Sequence, residues 1–275
     1  MDRGQILKTM VGEGKTDYEI YLNTQVLFAC QKPFAELCNG DELQFQIVHQ
    51  VQELYMKLII YTLLDIEAYI REENTNRVLS LFKRVHLIQR AMIEIFSLLE
   101  TMSPREYQEI RVGLGNGSGQ ESPGFRTLLK MGKPLWAAFE AHYLEKYGVT
   151  VADVYHGRYD HGDAYVVAEA LAEYDTLFRR FRFHHLQHIE RSIGLGSKSL
   201  KGRPVKILEK GLEHRFFPEL WQIRNQMTDN WTGVGNTARF AILSVMESPD
   251  DHCENFAFTQ KLLRVGFITC PPRSF

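Results

Sequence analysis

The sequence lacks long apolar runs, an excess of either charge, and an apolar segment at its start. No uninterrupted apolar run approaches the ~18 residues that cross a bilayer, and Met1–Gln5 contain no signal-peptide core. Acidic and basic side chains nearly balance at a formal charge of -2, without the basic stripe of a nucleic-acid-binding protein. We therefore expect a cytoplasmic protein that binds neither membranes nor nucleic acids.

Cysteine is also scarce. Cys30, Cys38, Cys253 and Cys270 are dispersed, without the dense pairing of a disulfide scaffold or the short spacings of a zinc site. The pattern predicts plain thiols. A chain of 275 residues, 44% of them hydrophobic, can instead be stabilised by a large apolar core.

The fold class follows from helical periodicity, because strand-like alternation and short-period repeats are lacking. We predict an all-α protein with one domain over residues 1–275, in which 1–40 form an N-terminal segment and 228–275 a divergent tail. The polar stretch Asp153–Gly162 leads into the longest predicted helix. The predicted helices are Glu42–Ile70, one ending near Met102, one beginning at Pro104 after an N-cap at Ser103, Phe125–Lys146, a long one closed by Gly194, and Phe217–Met227.

His185 lies in the apolar stripe of the longest predicted helix, near Phe178 and Phe181, where a core helix normally has leucine. A buried imidazole without a partner costs about 1–3 kcal/mol, so something must compensate it. One candidate is a heme iron, for which neutral imidazole is a common axial ligand. The other is an ordinary hydrogen bond. His184 and His188 are competing candidates, but we expect them to lie off the apolar stripe.

The pattern Cys-x-x-Cys-His is absent, so any heme would be bound noncovalently. Two further residues are candidates for such a site. His49 lies on the predicted helix Glu42–Ile70 and either faces a ligand or belongs to a solvated surface. Arg111 lies one turn after Tyr107 and either holds a substrate carboxylate by a two-pronged contact or forms a surface salt bridge.

Taken together, these segments resemble the tryptophan 2,3-dioxygenase family between about Tyr18 and Arg224. Several independent matches in the same order make the resemblance specific. The matching segments are Tyr18–Leu22, Asp41–Leu43, His49–Leu54, Leu99–Tyr107, Arg180–His185, Arg191–Gly194 and Phe216–Leu220.

The resemblance implies a reaction and its cofactor. Members of this family are α-helical proteins with noncovalent heme b, usually homotetramers. They use O2 as co-substrate, add it across the indole C2–C3 bond of L-tryptophan and release N-formylkynurenine. By this resemblance the chain is expected to be a heme-dependent oxidoreductase.

The resemblance also implies a role for individual residues. His185 matches the axial ligand of the iron, and His49 matches the distal histidine that accepts a hydrogen bond from the indole N–H. Phe45 matches a wall of the indole pocket, and Arg111, with Tyr107 beside it, matches the arginine that pairs with the substrate carboxylate. Ser199 falls where a threonine hydroxyl is expected. Three residues match the segment that a neighbouring subunit lends to the pocket, namely Tyr18, Tyr21 and Leu22.

Two segments depart from the family pattern. Gly196–Gly202 replaces the loop that encloses the amino-acid end of the substrate, and Lys198 and Lys201 add positive charge there. Ser118–Glu121 replaces the segment that follows the carboxylate-binding arginine. These departures leave three alternatives: a monooxygenase that makes a 2-oxindole from a modified tryptophan, a heme protein without catalytic activity, and a helical interaction module without heme.

Overall fold

A computed structural model describes residues 2–115, 117–157, 161–198, 202 and 204–230. These ranges contain helices and turns but no strand, and one isolated bridge pairs Lys198 with Pro204. The all-α prediction is confirmed. The α-helices are α1 (Arg3–Val11), α2 (Asp17–Leu22), α3 (Thr24–Phe28), α4 (Glu42–Arg71), α5 (Thr75–Glu94), α6 (Phe96–Leu99), α7 (Pro104–Leu114), α8 (Pro123–Phe139), α9 (Val151–His156), α10 (Asp163–Ile193) and α11 (218–230).

Shorter helical turns connect some of these helices. A π-helical turn, Glu140–Leu144, and a 3-10 turn, Glu145–Tyr147, extend α8, and further 3-10 segments lie at Phe34–Glu36, Gly119–Glu121 and Val205–Glu213. The chain divides into two compact units, Met1–Trp221 and Gln222–Phe275. The core and the site described below belong to the first unit.

The core is built by the longest helices. Helix α4 packs against α5 and α8, and α10 packs against α5. Each fully buried large apolar side chain contributes about 1.5–3 kcal/mol relative to an exposed one, so these contacts supply most of the stabilisation. The largest fully buried side chains are Tyr174, Phe82, Phe139, Phe217, Ile59, Leu63, Ile66, Ile70, Leu81, Leu99, Leu128 and Leu135.

Most predicted helices are present, with two corrections. The second helix does not continue to Met102, because it is interrupted at Ile95 and resumes as the short α6. The second correction adds a helix that was not predicted, α9, which begins after Gly148 with a capping box between Thr150 and Asp153. The end of the long helix at Gly194 is as predicted, and a positive φ of 76° explains why glycine is suited to this position.

The long helix α4 has one buried and one exposed apolar face. Phe45, Met56 and Ile59 are buried, whereas Ile47 and Leu54 are 42% and 54% exposed. The exposed face therefore remains available for another chain. No helix within the described residues is long and apolar enough to cross a membrane.

Two buried tyrosines differ in one hydrogen bond. Tyr174 is fully buried and its hydroxyl has no hydrogen-bond partner within the described residues, whereas the Tyr143 hydroxyl lies 2.9 Å from that of Thr75. Burial of an unpaired hydroxyl is costly, while loss of a paired one costs about 1 kcal/mol. Tyr174→Phe should therefore leave the free energy of unfolding unchanged or raise it, and Tyr143→Phe should lower it by about 1 kcal/mol. Urea unfolding of both variants measures the difference, and a larger loss for Tyr174→Phe would contradict this assignment.

Candidate functional site

A cavity of about 170 Å³ lies between α4, α6 and α10. Two short segments close it, the 3-10 turns Gly119–Glu121 and Val205–Glu213. Its lining is mainly apolar, with a few polar side chains among the apolar ones, as is typical of cofactor and ligand sites. The lining residues are Val48, His49, Gln52, Glu53, Met56, Phe96, Leu99, Gly119, Gln120, Ser122, Phe125, Phe181, Arg182, His185, Leu186, Leu208 and Gly211.

His185 faces this cavity from α10. Its ring lies 5.8 Å from that of Phe96, which in turn lies 5.2 Å from Phe181. Burial, and then the nearby charges of His188, His49 and Arg182, lower the pKa of His185 to about 4. No hydrogen bond to its ring is made within the described part of the chain. His185 therefore presents a neutral imidazole with an available lone pair at neutral pH.

The turn Gly119–Glu121 comes close to His185. A Cβ atom at position 119 would lie 3.4 Å from Nε2 of His185, so glycine permits this approach. Glu53 of α4 fixes the end of the turn, because it accepts hydrogen bonds from the Ser122 hydroxyl and from the Gly124 amide, the latter at 3.1 Å. A large ligand on His185 therefore requires this short turn to move outward.

His49 faces the same cavity from α4, and one hydrogen bond defines its tautomer. Its Nδ1 lies 2.7 Å from the carbonyl oxygen of Phe45. A carbonyl only accepts, so Nδ1 carries the proton and donates, which leaves Nε2 as an acceptor. His49 is exposed as a whole residue, yet desolvation by the protein around its ring lowers its pKa, while the Phe45 carbonyl and Glu53 oppose this shift. The Phe45 ring lies 4.1 Å from the His49 ring, although Phe45 is not among the residues that line the cavity.

Tyr107 and His188 extend this aromatic cluster. Tyr107 lies 6.2 Å from Phe45 and 6.1 Å from His188, measured between ring centroids, and burial raises the pKa of its hydroxyl. The expectation that His188 lies off the apolar stripe is wrong, since this residue is 5% exposed. Position 188 follows Phe181 by seven residues, two helical turns, and so returns to the same side of α10.

Arg111 lies on α7 and does not line the cavity. Its Nη2 donates to the Lys198 carbonyl at 2.7 Å, and its Nη1 donates to the Gln108 amide oxygen at 3.2 Å. A guanidinium has five N–H donors, so Arg111 retains donors for a carboxylate. The contact also joins α7 to the segment after α10. Ser199, the next residue in that segment, lies outside the described residues.

The N-terminal candidates are exposed. Tyr18, Tyr21 and Leu22 are 71%, 89% and 44% exposed, and α2, which carries them, buries none of its residues. They do not line the cavity of their own chain.

The sequence analysis did not assign Arg182 or Glu53 to the site, and it named His188 only as a competing candidate. All three can be found from helical spacing: Arg182 and His188 lie three residues before and after His185, and Glu53 lies four after His49. Side chains at these spacings share one face of a helix. The turn at Gly119 has no such signal, because its approach to His185 depends on tertiary packing.

The fold and this site define an all-α protein in which two histidines on different helices face one largely apolar cavity. Comparison with known proteins gives the family. The family model for tryptophan 2,3-dioxygenase matches residues 4–147, and the chain belongs to this family. The match includes Phe45, His49, Tyr107 and Arg111 and ends before His185.

Curated relatives cover more of the chain. The tryptophan 2,3-dioxygenase of Myxococcus xanthus is 29% identical over 78% of this chain and 91% of its own length. Those of Serratia proteamaculans and an Arthrobacter species are each 28% identical over 78% of this chain, and over 94% and 92% of their own lengths. This chain is therefore similar to these enzymes along most of its length.

The buried His188 predicts a loss of stability in mild acid. Burial is the main cause that lowers its pKa from 6.5 to about 4. As the pH falls below 6.5, His188 is protonated in the unfolded chain before it is protonated in the folded protein. The free energy of unfolding therefore decreases between pH 6.5 and pH 4. Between pH 7.5 and 5, His188 should account for a loss of about 2 kcal/mol in the free energy of unfolding.

Urea unfolding of the heme-free chain at both pH values measures this loss. His188→Gln should reduce the difference between the two pH values, and His184→Gln, a neighbouring change on the same helix, controls for the loss of one histidine. An equal pH dependence in wild type and His188→Gln would contradict the assignment.

Proposed function

We propose that the protein is a heme-dependent oxygenase that inserts oxygen from O2 at the indole C2–C3 bond of L-tryptophan or a close derivative. The reaction named by its family and relatives, that of a tryptophan 2,3-dioxygenase, is the form we favour. The observation that carries the proposal is the pairing of a neutral His185 with a second histidine, His49, whose Nε2 is left as an acceptor in the same cavity.

The residues of the cavity fit a heme. A neutral imidazole is the form that binds iron, and an apolar lining suits a porphyrin. Within the described residues no three His, Cys, Asp or Glu side chains could hold a metal ion by themselves, so iron on His185 would need the ligands of a macrocycle. The cavity of about 170 Å³ is smaller than the ~300–1,000 Å³ usual for such sites, so heme binding would require the turn at Gly119 to move.

Heme, when bound, supplies the iron at which O2 is activated. The chain's own residues bind and orient the substrate. His185 holds the iron, Nε2 of His49 accepts a hydrogen bond from the indole N–H, and Phe45 packs against the indole. Arg111 pairs with the substrate carboxylate beside Tyr107, and Ser199 contributes a hydroxyl to the amino-acid end. Exclusion of water and positioning then supply most of the rate enhancement.

We also propose that the protein assembles as a homotetramer in which Tyr18, Tyr21 and Leu22 cover the cavity of a neighbouring subunit. Their exposure supports this assembly, because large apolar side chains grouped on one short helix are usually covered by a partner. The exposed apolar face of α4 offers a surface for such a contact.

The experiment that tests the reaction is mass spectrometry of the product formed from L-tryptophan by heme-loaded, reduced protein under isotopically labelled O2. A ring-opened product with two labelled atoms supports the proposed dioxygenase. A product with one labelled atom contradicts it and supports the monooxygenase alternative. No product from L-tryptophan or from a β-substituted tryptophan contradicts both.

His185→Ala should abolish stoichiometric heme binding, because no other neutral imidazole is held opposite His49 in the cavity. His184→Ala is the matched control, since this adjacent histidine does not line the cavity. A heme titration followed at the Soret band measures both. Full heme binding by His185→Ala would remove this residue as the iron ligand.

Arg111→Ala should raise the KM for tryptophan about 10- to 100-fold, because a hydrogen bond to a charged group is worth about 1.5–3 kcal/mol. Arg105→Ala is the control, since Arg105 lies exposed on the same helix and its partner within the described residues is Glu109, at 3.6 Å. Steady-state kinetics of both variants measure the difference. An unchanged KM for Arg111→Ala would exclude Arg111 from the substrate site.

A further inference from the structure

Arg182 brings an unpaired positive charge into the cavity. It lies on α10 three residues before His185 and lines the same cavity. Its Nη1 atom is buried without a hydrogen-bond partner, and its side chain makes no ion pair or hydrogen bond within the described residues. Two aromatic rings flank the guanidinium: its central carbon lies 5.8 Å from the centroid of Phe125 and 5.9 Å from that of Phe178.

Neighbouring arginines do have partners. Arg179, one turn earlier on α10, donates to the Leu212 carbonyl at 3.2 Å, and Arg215 donates to the same carbonyl at 3.1 Å. Arg182 is partly buried, and arginine keeps its charge in proteins, so the shielded part of its guanidinium lacks both water and a counter-charge within the described residues. Arg182 is therefore placed for an anion that enters the cavity.

The position of the guanidinium is set by close packing. Its Nη2 lies against Gly211 in the 3-10 segment Val205–Glu213, at a distance that leaves no room for a Cβ atom at position 211. The acidic residue that lines the cavity, Glu53, is already bound to Ser122 and Gly124. The guanidinium of Arg182 therefore lies between two aromatic rings and Gly211, and its side chain has no hydrogen-bond partner within the described residues.

We propose that Arg182 binds a carboxylate in this cavity, and that this carboxylate is a propionate of the heme. The inference rests on the proposed function, since it requires heme on His185. Two observations favour a propionate. Arg182 and His185 share one rigid helix at a spacing of three residues, so the guanidinium keeps a fixed place relative to the iron ligand. A heme also brings two carboxylates into a largely apolar site, where each needs a counter-charge.

A substrate carboxylate is the other source of the same chemistry. Arg111 offers free donors for it outside the cavity lining, next to the Lys198 segment. In this proposal Arg182 binds a carboxylate of the cofactor, and Arg111 binds the carboxylate of the substrate. This division can be tested without any measurement of turnover.

The test is a titration of heme-free protein, in the absence of tryptophan, with hemin and with hemin dimethyl ester, whose carboxylates are blocked. Arg182→Met removes the charge and keeps a long apolar side chain against Phe125 and Phe178. It should weaken hemin binding about 10- to 100-fold and leave binding of the dimethyl ester unchanged. Arg180→Met, an exposed residue on the same helix, should change neither affinity.

Gly211→Ala gives an independent check. The added methyl group should displace the guanidinium without removing it, so hemin binding should weaken more than binding of the dimethyl ester. An equal loss for both ligands in Arg182→Met would show that the side chain only packs, and it would overturn the proposal. An unchanged hemin affinity would overturn it as well.

Two further outcomes separate the sources of failure. If Arg182→Met binds hemin normally but loses affinity for tryptophan and not for tryptamine, which lacks the carboxylate, the anion is the substrate's and the propionate assignment is wrong. If wild-type protein binds neither hemin nor its dimethyl ester, the proposed function fails together with this inference. Normal hemin binding that depends on His185 but not on Arg182 overturns this inference alone.

Discussion

The partial burial of His185 among aromatic side chains, which keeps its imidazole neutral, is the constraint on which the site depends. Packing of α10 against α6 places this ring beside Phe96, and desolvation lowers its pKa to about 4. A protonated imidazole has no lone pair for a metal, so the apolar surround selects the form that can act as a ligand. The side chains on the same face of α10 as His185 share these apolar surroundings. A charged side chain on this face is therefore favourable only when a counter-charge accompanies it.

The backbone of α4 prepares the second histidine in a different way. The Phe45 carbonyl accepts a hydrogen bond from Nδ1 of His49 at 2.7 Å. The same carbonyl oxygen is also positioned to accept the backbone hydrogen bond from the residue four positions later in the helix. Phe45 thereby has two functions, since its carbonyl orients the imidazole and its ring covers one side of it. A substitution of Phe45 that preserves the helix should leave the backbone carbonyl, and therefore the tautomer of His49, unchanged. It removes only the ring that packs on His49, so the two functions can be separated.

Sequence predicts the long helices and the residues that face the cavity from them, because periodicity reports which side of a helix a residue occupies. Periodicity therefore indicates which side of a helix His49 and His185 occupy, but it does not indicate which residues from other segments pack against them. The break at Ile95 and the turn at Gly119 depend on tertiary contacts, and the lack of a partner for Arg182 within the described residues cannot be inferred from composition. His188 lies seven residues after Phe181, and this spacing places it on the buried side of α10, contrary to the prediction.

Rigid and yielding parts of the site are separated along the chain. Both histidines and Arg182 lie on α4 and α10, helices of 30 and 31 residues, whereas short 3-10 segments close the cavity. Such segments have poorer hydrogen-bond geometry than α-helices and are easier to displace. Each approaches a functional side chain through a glycine, Gly119 at His185 and Gly211 at Arg182. Entry of a large cofactor can therefore move the closing segments while the geometry of its ligands is retained.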